Sequence, residues 1–332
     1  MPDPAVAKKP APAHKQQPKP AADKRPGAKP AAPKKPAAKP EAVKPKPKRD
    51  LADPKVMNDK ETGKAQAEYG KNTTGAQLYG PGGVTPLDVR QGAIADCFFA
   101  AAISAAANAN PDAITKAIKD NGDGTYRVRF FEIGFDGKAT THFETVDDDL
   151  AKSGDVPTYA KSTEVLDGKE HQEMWPGILE KAYAAWKGSY TAIGNGGSSG
   201  DVLEALTGKR AKTTSTAGPG KNDALWDKMK KGSDEKKPMT AGSGDKDDAK
   251  YKDPKAGVYG WHAYTIMGVE EQKNGDKSER MVILRNPWAK RRRDADATAV
   301  GDANNAKDGG VFKLSWDEFR RLYDDVTVGG GD

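Results

Sequence analysis

Gln91-Gly92-Ala93-Ile94-Ala95-Asp96-Cys97-Phe98 is followed at once by Ala100, Ala101, Ala102, Ile103 and Ala105. A glycine-bearing polar turn thus meets an alanine-rich run without proline. Alanine is the best helix former, so a helix is expected to open at Cys97. The first helical turn offers unpaired N–H groups and the positive end of the peptide dipole, which favour a thiolate over a thiol. Cys97 is the only cysteine in the 332 residues. Its window reads equally as a nucleophile site or as a small buried core residue, since free cysteine is among the most buried residue types.

A lone cysteine gains meaning from a histidine and an asparagine elsewhere in the chain. The four histidines are His14, His142, His171 and His262. His262 lies in Gly260-Trp261-His262-Ala263-Tyr264-Thr265-Ile266-Met267-Gly268-Val269, a run whose aromatic and β-branched content predicts a largely buried strand. A second apolar run, Met281-Val282-Ile283-Leu284, ends at Arg285-Asn286-Pro287-Trp288. The charged stretch between them contains Asn274-Gly275, a hairpin-turn signal. Folding the chain back there sets His262 beside Asn286 on one face, to within one residue of register.

In that arrangement His262 takes the Cys97 proton and later delivers it to a leaving amine. Asn286 accepts from the far ring N–H and holds the tautomer. Pro287 fixes the chain direction after Asn286. Gln91 and the Cys97 N–H are the expected donors to an oxyanion on the substrate carbonyl. Singly, each residue has a plainer reading as a strand histidine, a turn asparagine and a surface glutamine; the joint pattern is what carries the chemistry.

These motifs resemble those of the calpain family, relatives of the papain-like cysteine proteases. The family pattern Gln-Gly-x-x-Gly-Asp-Cys-Trp is similar to residues 91–98, with Ala95 for glycine and Phe98 for tryptophan. Gly-His-Ala-Tyr is similar to residues 261–264, with Trp261 for glycine, and Arg-Asn-Pro-Trp-Gly to residues 285–289, with Ala289 for the last glycine. The second signature is similar to Trp175-Pro176-Gly177-Ile178-Leu179-Glu180-Lys181-Ala182-Tyr183-Ala184 and the glycines that follow, and Gly310-Val311-Phe312-Lys313-Leu314-Ser315-Trp316 resembles the closing strand and helix. The resemblance runs from about Leu78 to Val328, with the motifs in family order. It implies an α+β, papain-like two-lobe cysteine protease fold: a helical lobe bearing the Cys97 helix and a β-rich lobe bearing His262 and Asn286. It implies a thiol endopeptidase acting on protein or peptide substrates, with Gly92, Asp96, Trp288, Gly196 and Gly197 lining or supporting the cleft.

The rest of the chain frames this core. Residues 1–50 are a lysine, alanine and proline tract with 14 Lys+Arg against 4 Asp+Glu, a net of +10; the whole chain is +6, which leaves the remainder at −4. Such a tract cannot bury enough surface to offset its ordering entropy and is expected to be a disordered tail. It reads either as a contact for anionic surfaces or nucleic acid through simple electrostatics, or as a spacer with no partner. Residues 51–77 read as a polar, irregular linker and 78–332 as the core, split near 209/210 into the two lobes. No apolar stretch approaches the ~20 residues that span a bilayer, and no secretory signal segment is evident. With a single thiol, a cytoplasmic setting is expected, or export as an effector without a classical signal.

Within the core, a helix is expected over 111–119, a hairpin of 126–133 with 140–146 about Asp136-Gly137, a helix over 175–187, and a closing strand and helix near 312–323. Residues 232–255 read as a mobile polar loop near the cleft. Calpain cores commonly bind calcium, and the resemblance implies Asp88 and Glu180 as ligands of one site at most. A second site is not expected, because Lys290-Arg291-Arg292-Arg293, ahead of Asp294 and Asp296, opposes a divalent cation; Asp120 to Gly124 lacks the closing glutamate of a calcium loop. Two other functions stay open: a catalytically weak or inactive binding module, suggested by Ala95, Phe98 and Trp261, and another thiol acyl transferase such as a transglutaminase-like enzyme, against which Asn286 stands.

Overall fold

The computed structural model describes residues 49–71, 75–166, 169–218, 221–252, 257–274, 277–289 and 309–331, all within one compact unit, Pro45–Asp332. The expectations for the basic tail and for residues 290–296 lie outside the described residues.

The helix predicted from the Cys97 window forms as Cys97–Ala109 and is buried on every side. Its alanines keep the cylinder thin, so other elements approach its backbone closely. The Ser199–Thr207 helix packs on it from one direction and the Ala263–Asn274 strand from another. The Trp175–Lys187 helix forms at the expected residues and buries Trp175, Ile178, Leu179 and Ala182. Tyr183 on that helix stacks on Phe99 at 4.9 Å, which ties it to the Cys97 helix.

This lobe is less purely helical than expected. Thr125–Ile133 and Ala139–Asp147 form the predicted hairpin, and Ile118–Asp120 adds a third strand. That strand is why the helix after Asn110 stops at Thr115 rather than 119: Ile118 pairs with Val128 instead of continuing the helix. Residues 51–71 also do more than link. Met57 and Ala67 enter the first core, and Glu68–Gly70 pairs with Leu150–Ser153. The buried ammonium of Lys181 fastens this segment, lying 2.5 Å from Asp53, 2.6 Å from Asp147 and 2.6 Å from the Asp149 carbonyl.

The second lobe is one antiparallel six-stranded sheet. Its order is Val311–Ser315, Lys277–Arg285, Ala263–Asn274, Met239–Ser243, Tyr323–Val328 and Lys212–Ser215. A separate core fills it, centred on Trp226, Tyr264, Phe319 and Tyr323. The expected loop over 232–255 is overturned at 232–234 and at 239–243. The Lys221–Asp234 helix reaches into it, and Met239–Ser243 is a central strand of the sheet. Thr240, Ala241 and Gly242 are too small and polar to announce a strand, yet neighbouring strands on both sides satisfy their backbone. Among the described residues no helix is long and apolar enough to cross a membrane.

Replacing Lys181 by methionine leaves the Asp147 carboxylate, 2% exposed, without its cation. Removing one partner of a buried ion pair costs about 3–5 kcal/mol. Urea unfolding of Lys181→Met is therefore expected to show a midpoint well below wild type, and an unchanged midpoint would show that the clamp contributes nothing.

Candidate active site

Arg285 joins the two lobes. It ends the Lys277–Arg285 strand, is fully buried, and sends its guanidinium across to the Cys97 side. One terminal nitrogen donates to the Val89 carbonyl at 2.6 Å and the Leu87 carbonyl at 3.1 Å; the other donates to Ser104 Oγ at 3.3 Å. Burial lowers the guanidinium pKa to about 10, opposed by the nearby Asp88 charge, so it stays protonated at neutral pH. Two more bonds repeat the tie: Thr265 Oγ1 donates to the Ala101 carbonyl at 2.8 Å, and Gln91 N–H donates to the Pro287 carbonyl at 3.0 Å.

His262 sits at the entrance to its strand, and its Nε2 lies 2.9 Å from Asn286 Oδ1. The same oxygen accepts the Trp288 backbone N–H at 3.0 Å. A backbone N–H can only donate, which fixes the amide oxygen on this side. Nε2 must then carry the ring proton, and Nδ1 is left as the bare base. The two residues are not directly opposite, as the simple hairpin reading placed them. Asn274 pairs with Lys277, one step beyond the predicted turn, and a bulge between Ile266 and Gly268 resets the register so that Thr265 faces Arg285. His262 and Asn286 become diagonal neighbours on one face. Trp288 covers the imidazole with ring centroids 4.2 Å apart, and Tyr259 packs on Trp288 at 4.7 Å.

Cys97 is the first residue of its helix, and the Ala263 N–H, one residue past His262, points at its sulfur. The expected thiolate is not the resting form. Burial pushes the Cys97 thiol pKa up, more than the Ala263 N–H pulls it down, and the Asp96 charge adds to the rise. Burial likewise holds His262 down at about 4, with Asn286 opposing. Both partners are therefore neutral at pH 7.

The residues beneath Cys97 are acidic. Asp96 is fully buried, and its carboxyl meets that of Glu180. Burial raises Asp96 to about 6; burial and the Asp96 charge raise Glu180 well above the ordinary carboxyl range. Two carboxyl groups in contact hold a proton between them. Glu180 also accepts the Ala160 N–H at 3.0 Å. Gln91 donates to the Ile94 carbonyl at 2.7 Å, so its amide is engaged internally rather than aimed at open space.

The glycines have steric reasons. A Cβ on Gly92 would meet the Thr158 and Tyr159 carbonyls at 2.3 Å, and one on Gly197 would meet the Phe98 ring at 2.5 Å. Gly196 is left-handed at φ +90°, and its N–H donates to the Ala95 carbonyl at 2.9 Å, laying this segment beside the Cys97 turn. Trp261 and Ala289, which stand where the resembled family has glycine, are left-handed at φ +52° and +56°. That conformation costs a residue with a Cβ about 1–2 kcal/mol.

Asp88 and Glu180 do not fit a calcium shell. The Asp88 oxygens accept from Thr85 Oγ1 at 2.6 Å, Thr85 N–H at 2.7 Å and Trp175 Nε1 at 3.1 Å, while Glu180 is spent on Ala160 and Asp96. Among the described residues no three His, Cys, Asp or Glu side chains gather as a metal site. Arg285 and the Asp96–Glu180 contact are the site residues that sequence reading missed. The arginine was visible beside Asn286, but nothing local signals that its target lies across the lobes.

Residues 57–329 match the model of the calpain family cysteine protease domain. Human Calpain-9 is 28% identical over 263 residues, covering 74% of this chain and 36% of that protein. The mouse Calpain-2 catalytic subunit is 26% identical over 271 residues, 74% of this chain and 36% of its own length. The rice calpain-type cysteine protease ADL1 is 30% identical over 270 residues but is covered for only 12% of its length. The chain thus spans about a third or less of these relatives.

A neutral Cys97–His262 pair makes a specific kinetic expectation. The rate of Cys97 alkylation by iodoacetamide should climb with pH through a midpoint above that of a free cysteine. Fast labelling that stays level down to pH 5 would instead reveal a thiolate–imidazolium pair.

Proposed function

Since the chain belongs to the calpain family of cysteine proteases, we propose that it is an endopeptidase that hydrolyses peptide bonds of protein substrates through Cys97, His262 and Asn286. The observation that carries this reading is the shared Asn286 oxygen, which accepts from His262 Nε2 and from the Trp288 N–H and so leaves Nδ1 unprotonated. A neutral imidazole with an unprotonated Nδ1 is the form that can accept the proton of a neutral thiol as the sulfur attacks.

In the proposed cycle, Nδ1 removes the Cys97 proton as the sulfur attacks the scissile carbonyl. The new imidazolium keeps its Nε2–H bond to Asn286, which spreads the charge. The helix-start N–H groups at Cys97 offer donors to the oxyanion. Gln91 joins them on releasing its bond to the Ile94 carbonyl. Collapse of the tetrahedral intermediate breaks the C–N bond, and His262 hands its proton to the departing amine. A thioester remains, which water hydrolyses with His262 again acting as base. Trp288 keeps the His262–Asn286 bond dry, which strengthens it.

A second reading, a binding module with little turnover, is favoured by one observation: the Gln91 amide is held by the Ile94 carbonyl. The two readings separate in one experiment. On an unfolded protein substrate, Cys97→Ala should lower turnover by at least about 10⁴-fold, His262→Ala comparably, and Asn286→Ala by a smaller factor. Wild type no faster than Cys97→Ala would leave the binding module standing.

A further inference from the structure

We propose that Trp261 walls the subsite that receives the residue on the leaving-group side of the scissile bond, and that it selects large apolar side chains there; the inference rests on the endopeptidase reading above. His262 must deliver its proton to the leaving amine, so the first residue of the departing product lies on the His262 side of the sulfur. Trp261 is the residue joined to His262 on its N-terminal side. The backbone that carries both side chains is clamped. Trp261 N–H donates to the Gly244 carbonyl at 2.6 Å, His262 N–H donates to Ser243 Oγ at 3.0 Å, and that hydroxyl lies 2.7 Å from the Tyr259 carbonyl.

Two independent features mark this side chain. The first is exposure. Trp261 is 67% exposed, whereas the other five tryptophans, 175, 186, 226, 288 and 316, are buried or half-buried. The second is backbone strain. A bulky residue held at φ +52° is an outlier, and here most of the side chain stays in solvent rather than offsetting the cost by burial. A glycine would remove both penalties. An exposed, strained indole beside a candidate proton donor is what a contact surface for a ligand requires, because an indole gives large apolar area with little freedom to lose. Among the described residues, Lys246 Nζ lies 5.7 Å from the ring centroid and 2.8 Å from an Asp247 carboxylate oxygen. A pair already neutralised offers nothing to recruit an ionic side chain. The surface therefore favours aromatic and large aliphatic residues.

The test is to digest a mixture of denatured proteins with the full-length chain and sequence the new N-termini, whose first residue reads this subsite. Wild type is expected to enrich Phe, Tyr, Leu and Met at that position. Trp261→Gly should lower the enrichment about tenfold, the usual reach of an apolar pocket, and Trp261→Phe should keep it. An unchanged profile from Trp261→Gly overturns the proposal. So does a folded Trp261→Gly, checked by circular dichroism, that cleaves every sequence more slowly by one common factor. Wild type producing no more termini than Cys97→Ala would sink the endopeptidase reading itself, and this inference with it.

Discussion

The buried guanidinium of Arg285 is the constraint on which the site depends. It is one residue from Asn286, and it reaches the carbonyls of Leu87 and Val89 ahead of the Cys97 turn and the hydroxyl of Ser104 on the Cys97 helix. Only a planar, permanently charged fork can satisfy targets lying in several directions at once; a lysine would offer a point charge on a loose stem. Burying that charge is costly unless its partners are in place. The same residue therefore penalises every arrangement in which the two lobes part or slide. Asp88 supports it with opposite charge while spending its own oxygens on Thr85 and Trp175.

The charge states follow from the same burial. Desolvation acts on both Cys97, which is half-buried, and His262, which is buried, so each prefers its neutral form, and the helix dipole does not outweigh this. Their effects on stability run in opposite directions from those of the acids below. His262 is lowered to about 4, so its share of stability is complete above the ordinary histidine pKa and is lost as pH falls toward 4. Asp96 and Glu180 are raised, so their share is present in acid and is lost as pH rises through their folded values. The intermediate range is therefore a compromise between the base above the nucleophile and the acid pair beneath it.

Much of this was legible in the chain. The Cys97 helix, the 175–187 helix, the hairpin about Asp136-Gly137 and the two apolar runs carrying His262 and Asn286 all announce themselves through period, turn residues or composition. What stayed hidden was set by tertiary context. Met239–Ser243 is a strand because strands flank it, not because Thr, Ala and Gly ask for one. The Lys221–Asp234 helix shows only Leu225, Trp226 and Met229 among lysines and aspartates. The thiol reads as activated by its helix position, but desolvation, which no sequence window displays, reverses the sign. Glu180 reads in the sequence as a calcium ligand or an exposed helical glutamate; in the fold it is buried and its neighbour is a second carboxyl.

The bulge at Met267 has a wider meaning. Beyond it, pairs such as Val269 with Val282 follow one parity; before it, Thr265 with Arg285 follows the other. Carried straight through, the outer parity would turn His262 to the opposite face from Asn286. The bulge is itself pinned, since Asn108 Nδ2 at the far end of the Cys97 helix donates to the Met267 carbonyl at 3.0 Å. It works as a phase-shifter between two ribbons. Removing one residue at this point would carry the distal parity inward and part the imidazole from its amide partner.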